Sequence, residues 1–136
     1  GFEPKVAFVS HSTLGQPLTN RTKHIKKAVD ILKDKSVDFE FDGDMQPDVA
    51  LNDEYKSLYP FSKIVGNANI LIMPGQHSAA ISYKMLKTLG DTKVIGPLLI
   101  GLGLPIEIAP LRTSTSELIN LASIAAYSAD KIDYSK

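Results

Sequence analysis

A chain of 136 residues, 43% of them hydrophobic, can bury one respectable core and is most simply read as a single domain, 1–136. Lys plus Arg equals Asp plus Glu at 15 each, so no excess positive charge is available to follow a nucleic-acid backbone or an anionic membrane, and neither is expected as a partner. The absence of cysteine excludes disulfides, thiol catalysis and thiolate metal sites, and fits a reducing, cytoplasmic setting.

The first predicted element is the β-rich run "KVAFVS" at 5–10, which ends in the loop "HSTLGQPLTN" with Gly15 and Pro17 as breakers. From Asn20 the apolar residues Ile25, Ala28, Val29 and Leu32 recur at i, i+3, i+4 and i+7, with Lys23, Lys26, Lys27 and Lys33 off that stripe. This spacing predicts an amphipathic helix of about 14 residues. In "VDFEFDG", Val37, Phe39 and Phe41 alternate with Asp38, Glu40 and Asp42, the period of a strand with one wet face, placed at an edge or near the surface.

Residues 48–58 carry a weaker helical pattern between Pro47 and Pro60. The apolar run 70–73 reads as a strand buried on both faces of a parallel sheet, followed through a Pro-Gly turn by a helix over 78–89 that Gly90 ends. "VIGPLLIG" and "PIEIAP" read as two further short extended segments. Ser114 and Glu117 then have the Ser-x-x-Glu spacing of a capping box, opening a helix that runs to about Ala129. Strands alternating with helices predict a three-layer α/β/α fold with a mostly parallel sheet. Leu118, Ile119, Leu121, Ala122, Ile124, Ala125, Ala126 and Tyr127 cover nearly the whole circumference of the last helix, so it requires a second burial partner, from another lobe or subunit.

Motif chemistry is sparse. There is no phosphate loop of the Gly-x-x-x-x-Gly-Lys-Ser/Thr type, and the glycines of "GPLLIGLG" lie between extended segments, which defeats a dinucleotide fingerprint. His11, His24 and His77 lack ligand spacing, so no metal site is expected. Ser10 and Ser12 are assigned to loop hydrogen bonding ahead of nucleophilic catalysis. The N–H groups of the turn "PGQHS" could donate to a phosphate or pyrophosphate, with Lys84 or Lys87 assisting; a scaffolding role for this strand–helix unit is equally consistent with the residues. No apolar run reaches the roughly 18–20 residues of a membrane span. Gly1 is not an initiator methionine, and the chain is expected to be cut from something longer.

Six segments, in order, resemble the C-terminal part of the phosphate acetyl/butyryltransferase family: "KVAFVSHSTLG", "FDGDMQPDVALN", "GNANILIMP", "ISYKMLKTLG", "VIGPLLIGLGLP" and "ELINLASIAA". "SHS" at 10–12 is most similar to the version of this domain fused behind an NADP-dependent malic enzyme. The resemblance implies a lobe like those of isocitrate and isopropylmalate dehydrogenases, paired with a second lobe across a cleft, in a homo-oligomer. It implies acetyl transfer between coenzyme A and phosphate, with a carboxylate to take the thiol proton and a Ser-Arg pair on the phosphate.

The family carries these groups in a Ser-Arg-Gly-x-Ser-x-x-Asp pattern, where this chain reads "PLRTSTSE" at 110–117. Pro110 and Leu111 stand at the serine and arginine, and neither side chain can grip a phosphate. Arg112 and Glu117 are the remaining catalytic candidates, in a degenerate site; Ser78, Lys84 and Arg112 are the candidate contacts to coenzyme A or phosphate. Ala79 and Ala80 replace a small residue and an asparagine of the family pattern. The resemblance thus implies a regulatory or assembling domain that takes acetyl-CoA as effector or substrate, with NADP and a divalent metal confined to an upstream malic enzyme domain. An active phosphate acetyltransferase and a purely structural dimerisation module are the alternatives.

Overall fold

The computed structural model describes residues 1–90 and 92–131, so the expected domain 1–136 includes positions outside the described residues. The chain divides into two compact units, Gly1–Ser82 and Tyr83–Lys136.

In the first unit, β1 (Lys5–Val9) lies between β2 (Glu40–Met45) and β3 (Ile70–Ile72), and both pairings are parallel. Successive strand residues face opposite sides of a sheet, and both Val6 and Ala7 are buried, so β1 is covered on both faces. The helix α1 (Asn20–Lys33) packs against β2 and buries Val29, while the short helix α2 (Pro47–Leu51) packs against β1. The core joins Ala7, Met45, Val49, Ala50, Ile64 and Ala68, with Tyr59 and Leu71 against it. Each fully buried side chain of the size of Met45 or Val29 contributes roughly 1.5–3 kcal/mol. This is the three-layer α/β arrangement with a parallel sheet that the alternation of elements predicts.

Helix α1 starts at Asn20 and has the expected length of 14 residues. Its start is fixed by a device the sequence reading missed, a capping box between Thr19 and Thr22 in which threonine replaces the usual Glu or Gln. Residues 48–58 form two short helices, α2 and α3 (Asp53–Lys56), separated at Asn52, whose extended backbone and side-chain cap on Glu54 N start the second one.

Strand β2 is an edge strand, as expected, yet it starts at Glu40 and its wet residues are turned inward. Asp42 and Asp44 are buried, while Phe39 and Phe41 are only half-buried and meet edge to face. The carboxylates tolerate burial because each has donors. Asp42 accepts from the backbone N–H of Gly43 and Lys63, and Asp44 from Gly15 N–H and the Ser12 hydroxyl. Gly43 between them has φ +151, and a Cβ there would lie 2.7 Å from Phe8 Cβ and Phe8 O, so the close approach of β1 and β2 requires glycine.

Strand β3 departs from expectation. It is an edge strand with Ile70 and Ile72 exposed and only Leu71 directed at the core, because it pairs with β1 alone among the described residues.

Helix α4 (Gln76–Leu89) starts two residues before the expected Ser78, and its C-terminal half belongs to the second unit. Gly90 follows its last residue, where a Cβ would come within 2.9 Å of Leu86 O. The expected extended segments over 94–101 and 105–110 join no ladder, and residues 92–113 contain neither helix nor strand. Pro97, Pro105 and Pro110 withhold the N–H groups a ladder needs. Helix α5 (Thr115–Ala129) has Ser114 as its N-cap, with Glu117 completing the box as the spacing predicts. Only Leu121 is buried on it; Leu118, Ile119 and Tyr127 are exposed.

Candidate ligand-binding site

In the second unit, the C-terminal half of α4, the irregular segment after it and the first turns of α5 enclose a cavity of about 200 Å³. Three cations line it, Lys84 and Lys87 from α4 and Arg112 from the turn before α5. Lys84 and Lys87 are three apart in sequence and therefore neighbours on one helix surface. The single acid in the lining is Glu117, and Tyr83, Val94, Ile95 and Leu121 supply apolar wall. Thr113 and Asn120 add a hydroxyl and an amide.

The two oxygens of Glu117 have separate partners. Oε1 accepts a hydrogen bond from Lys87 Nζ at 2.5 Å. Oε2 accepts from Ser114 N and from Ser114 Oγ, both at 2.8 Å, while Glu117 N donates to Ser114 Oγ at 3.3 Å. The Lys87 ammonium, and after it the two Ser114 donors, hold the Glu117 carboxyl at about 2, well below its ordinary 4.5. Lowering the carboxyl makes it a weaker base toward a thiol, which titrates at about 8.5. The carboxylate is thus engaged in capping α5 and in pairing with Lys87. Among the described residues neither Lys84 nor Arg112 forms an ion pair, so the lining carries two uncompensated positive charges.

Arg112, Lys84, Lys87 and Glu117, four of the five sequence-derived candidates, share this cavity. Ser78 belongs to the first unit, in the first turn of α4, where its hydroxyl donates to Gly75 O at 2.8 Å and is thereby engaged in local structure. Pro110 lines the cavity without a donor, and Leu111 projects fully into solvent. The partnership of Lys87 with Glu117 was missed by the sequence reading. The Ser-x-x-Glu spacing announces the cap, whereas a contact across 30 positions leaves no local trace.

At the C-terminal ends of β1 and β2, the Ser12 hydroxyl donates to Asp44, its oxygen lies 3.2 Å from Ser10 Oγ, and Ser10 Oγ lies 3.5 Å from His11 Nδ1. Thr13 Oγ1 accepts from Gln46 N. These hydroxyls tie the loop to β2, and the buried Ser12 is engaged with a carboxylate in place of a histidine base. Among the described residues no group of three or more His, Asp or Glu side chains converges as metal ligands, and no helix is long and apolar enough to cross a membrane.

Comparison with known proteins places these features in a family. Over 129 residues the chain is 50% identical to an NADP-dependent malic enzyme of Rhizobium meliloti, a match covering 95% of this chain and 17% of that protein. It is 34% identical over 130 residues to a phosphate acetyltransferase of Clostridium acetobutylicum, covering 95% and 39%. The crystal structure of a phosphotransacetylase from Streptococcus pyogenes superposes with a TM-score of 0.88 at 31% identity, over 96% of this chain and 40% of that one. The chain thus spans less than a fifth of the malic enzyme and about two fifths of the transferases. Residues 1–126 match the phosphate acetyl/butaryl transferase family, and the chain belongs to that family.

Proposed function

We propose that this chain is the C-terminal phosphotransacetylase-like domain of an NADP-dependent malic enzyme, that it has lost acetyl transfer, and that it binds acetyl-CoA as a regulatory ligand within a homo-oligomer. The observation that carries the reading is the state of the "PLRTSTSE" run. Its carboxylate is committed to Ser114 and Lys87 and lowered to about 2, and proline and leucine stand where the family pattern has its serine and arginine. Binding is retained in this reading because three cations and an apolar wall need no reactive group to hold an anionic, acyl-bearing ligand. An effector that binds there alters the parent enzyme's equilibrium only to the extent that it prefers one conformation, and malate must then alter acetyl-CoA affinity by the same factor.

The test uses the full-length polypeptide. Calorimetry should detect acetyl-CoA binding, and an assay with acetyl-CoA and phosphate should show no acetyl phosphate formed above the uncatalysed rate. Phosphate-dependent turnover would sink the proposal. A second reading, a working phosphate acetyltransferase, draws support from Arg112 and Glu117 sharing one cavity. It requires Arg112→Ala and Glu117→Ala each to lower a measurable rate by about 100-fold or more, the scale set by loss of a positioned catalytic group.

A further inference from the structure

The Lys87–Glu117 pair sets a carboxylate against one of the three cations that line the cavity. Lys87 comes from α4 and Glu117 from α5, so this contact also ties the two helices of the second unit to each other. Lys87 Nζ is already occupied, whereas Lys84 and Arg112 carry no ion-pair partner among the described residues. The division of Glu117's oxygens matters here. Only Oε1 is given to Lys87, while Oε2 caps α5, so the tie can open without uncapping the helix.

We propose that the Lys87–Glu117 contact is an internal latch that a diphosphate-bearing ligand opens. The ligand's oxygens take Lys87 together with Lys84 and Arg112, and the α4–α5 tie is exchanged for an α4–ligand contact. This deepens the effector reading above and rests on it for the identity of the ligand. Two uncompensated cations favour a group with at least two negative charges, and a third ammonium released from Glu117 strengthens the preference. The side chains of Lys87 and Glu117 are 51% and 29% exposed, so the pair is weak enough for such a ligand to displace it. No covalent step is involved. Occupancy of the cavity is signalled by the release of α5 from α4.

The full-length polypeptide is tested with two probes, inorganic pyrophosphate and acetyl-CoA, by calorimetry in wild type, Glu117→Gln and Lys87→Met. Glutamine at the third helical position also completes a capping box, so Glu117→Gln removes the competing charge while the helix start is kept. Pyrophosphate should bind about threefold or more tightly to Glu117→Gln than to wild type, as expected when an exposed ion pair no longer opposes the ligand. Lys87→Met should bind it more weakly than wild type. Weaker or unchanged pyrophosphate binding in Glu117→Gln overturns the latch, as does failure of pyrophosphate to bind either protein. Pyrophosphate behaving as stated while acetyl-CoA binds none of the three proteins leaves the latch standing and overturns the effector reading.

Discussion

Lys56 shows what a single side chain can cost a small unit. It sits at the end of α3 and is 5% exposed, and its Nζ has no hydrogen-bond partner among the described residues. Burial pushes its ammonium below the ordinary 10.5; Asp53 and Glu40 oppose that shift and Lys5 adds to it. Because the folded state binds the proton less readily than the unfolded state, unfolding takes one up. The contribution of this residue to stability therefore rises with pH up to the ordinary lysine value and is lost as pH falls below it. Lys56→Met keeps the length and apolar stem and removes the orphan donor. It should raise stability by about 1–3 kcal/mol, the cost of an unsatisfied buried polar group, in denaturant unfolding at neutral pH. A lower midpoint for the variant would show that the amine has a partner. The sequence did not flag this position, because Lys56 lies in a polar run that reads as a solvated helix face.

At the scale of elements, the starts of α1 and α5 were legible in local sequence. Helix α5 begins where Ser114 and Glu117 predict, since a cap is a contact among residues three apart. The stripe of α1 likewise gave its length. Strands were less legible, because a strand is defined by its neighbours. The aspartates of β2 turned inward to bind backbone N–H groups and a hydroxyl from distant loops, and residues 94–110, apolar enough for strands, found no ladder. The cap of α5 makes a pH prediction. The Glu117 carboxyl is lowered to about 2, so its stabilising contribution is complete above its ordinary 4.5 and is lost as pH falls from there towards 2. Acid unfolding followed by circular dichroism should therefore be flatter across that window in Lys87→Met, which lacks the largest cause of the shift. An unchanged acid limb would mean that Lys87 does not hold the carboxylate in solution.

At the scale of the molecule, the two units share one property: both leave large apolar side chains in solvent. Phe61 and Val65 do so in the first unit, and Leu118, Ile119 and Tyr127 on α5 in the second. The all-round apolar pattern of α5 had already called for a second partner, and burying Leu121 alone does not meet that demand. The proposed homo-oligomer gives the face a role. Ile119→Glu together with Tyr127→Lys should lower the sedimentation-equilibrium mass of the full-length polypeptide, with helix content unchanged. A mass equal to that of wild type would remove α5 from the subunit contact.

The sequence by itself determined the family, the starts of α1 and α5, and the proline and leucine at 110 and 111, because each is written in residue identity or in spacings of a few positions. Only the tertiary structure decided that Asp42 and Asp44 are interior groups, that Lys56 has no hydrogen-bond partner among the described residues, and that Lys87 reaches Glu117. Those outcomes depend on which distant segment supplies a donor, an acceptor or a wall, and local periodicity contains no record of that choice.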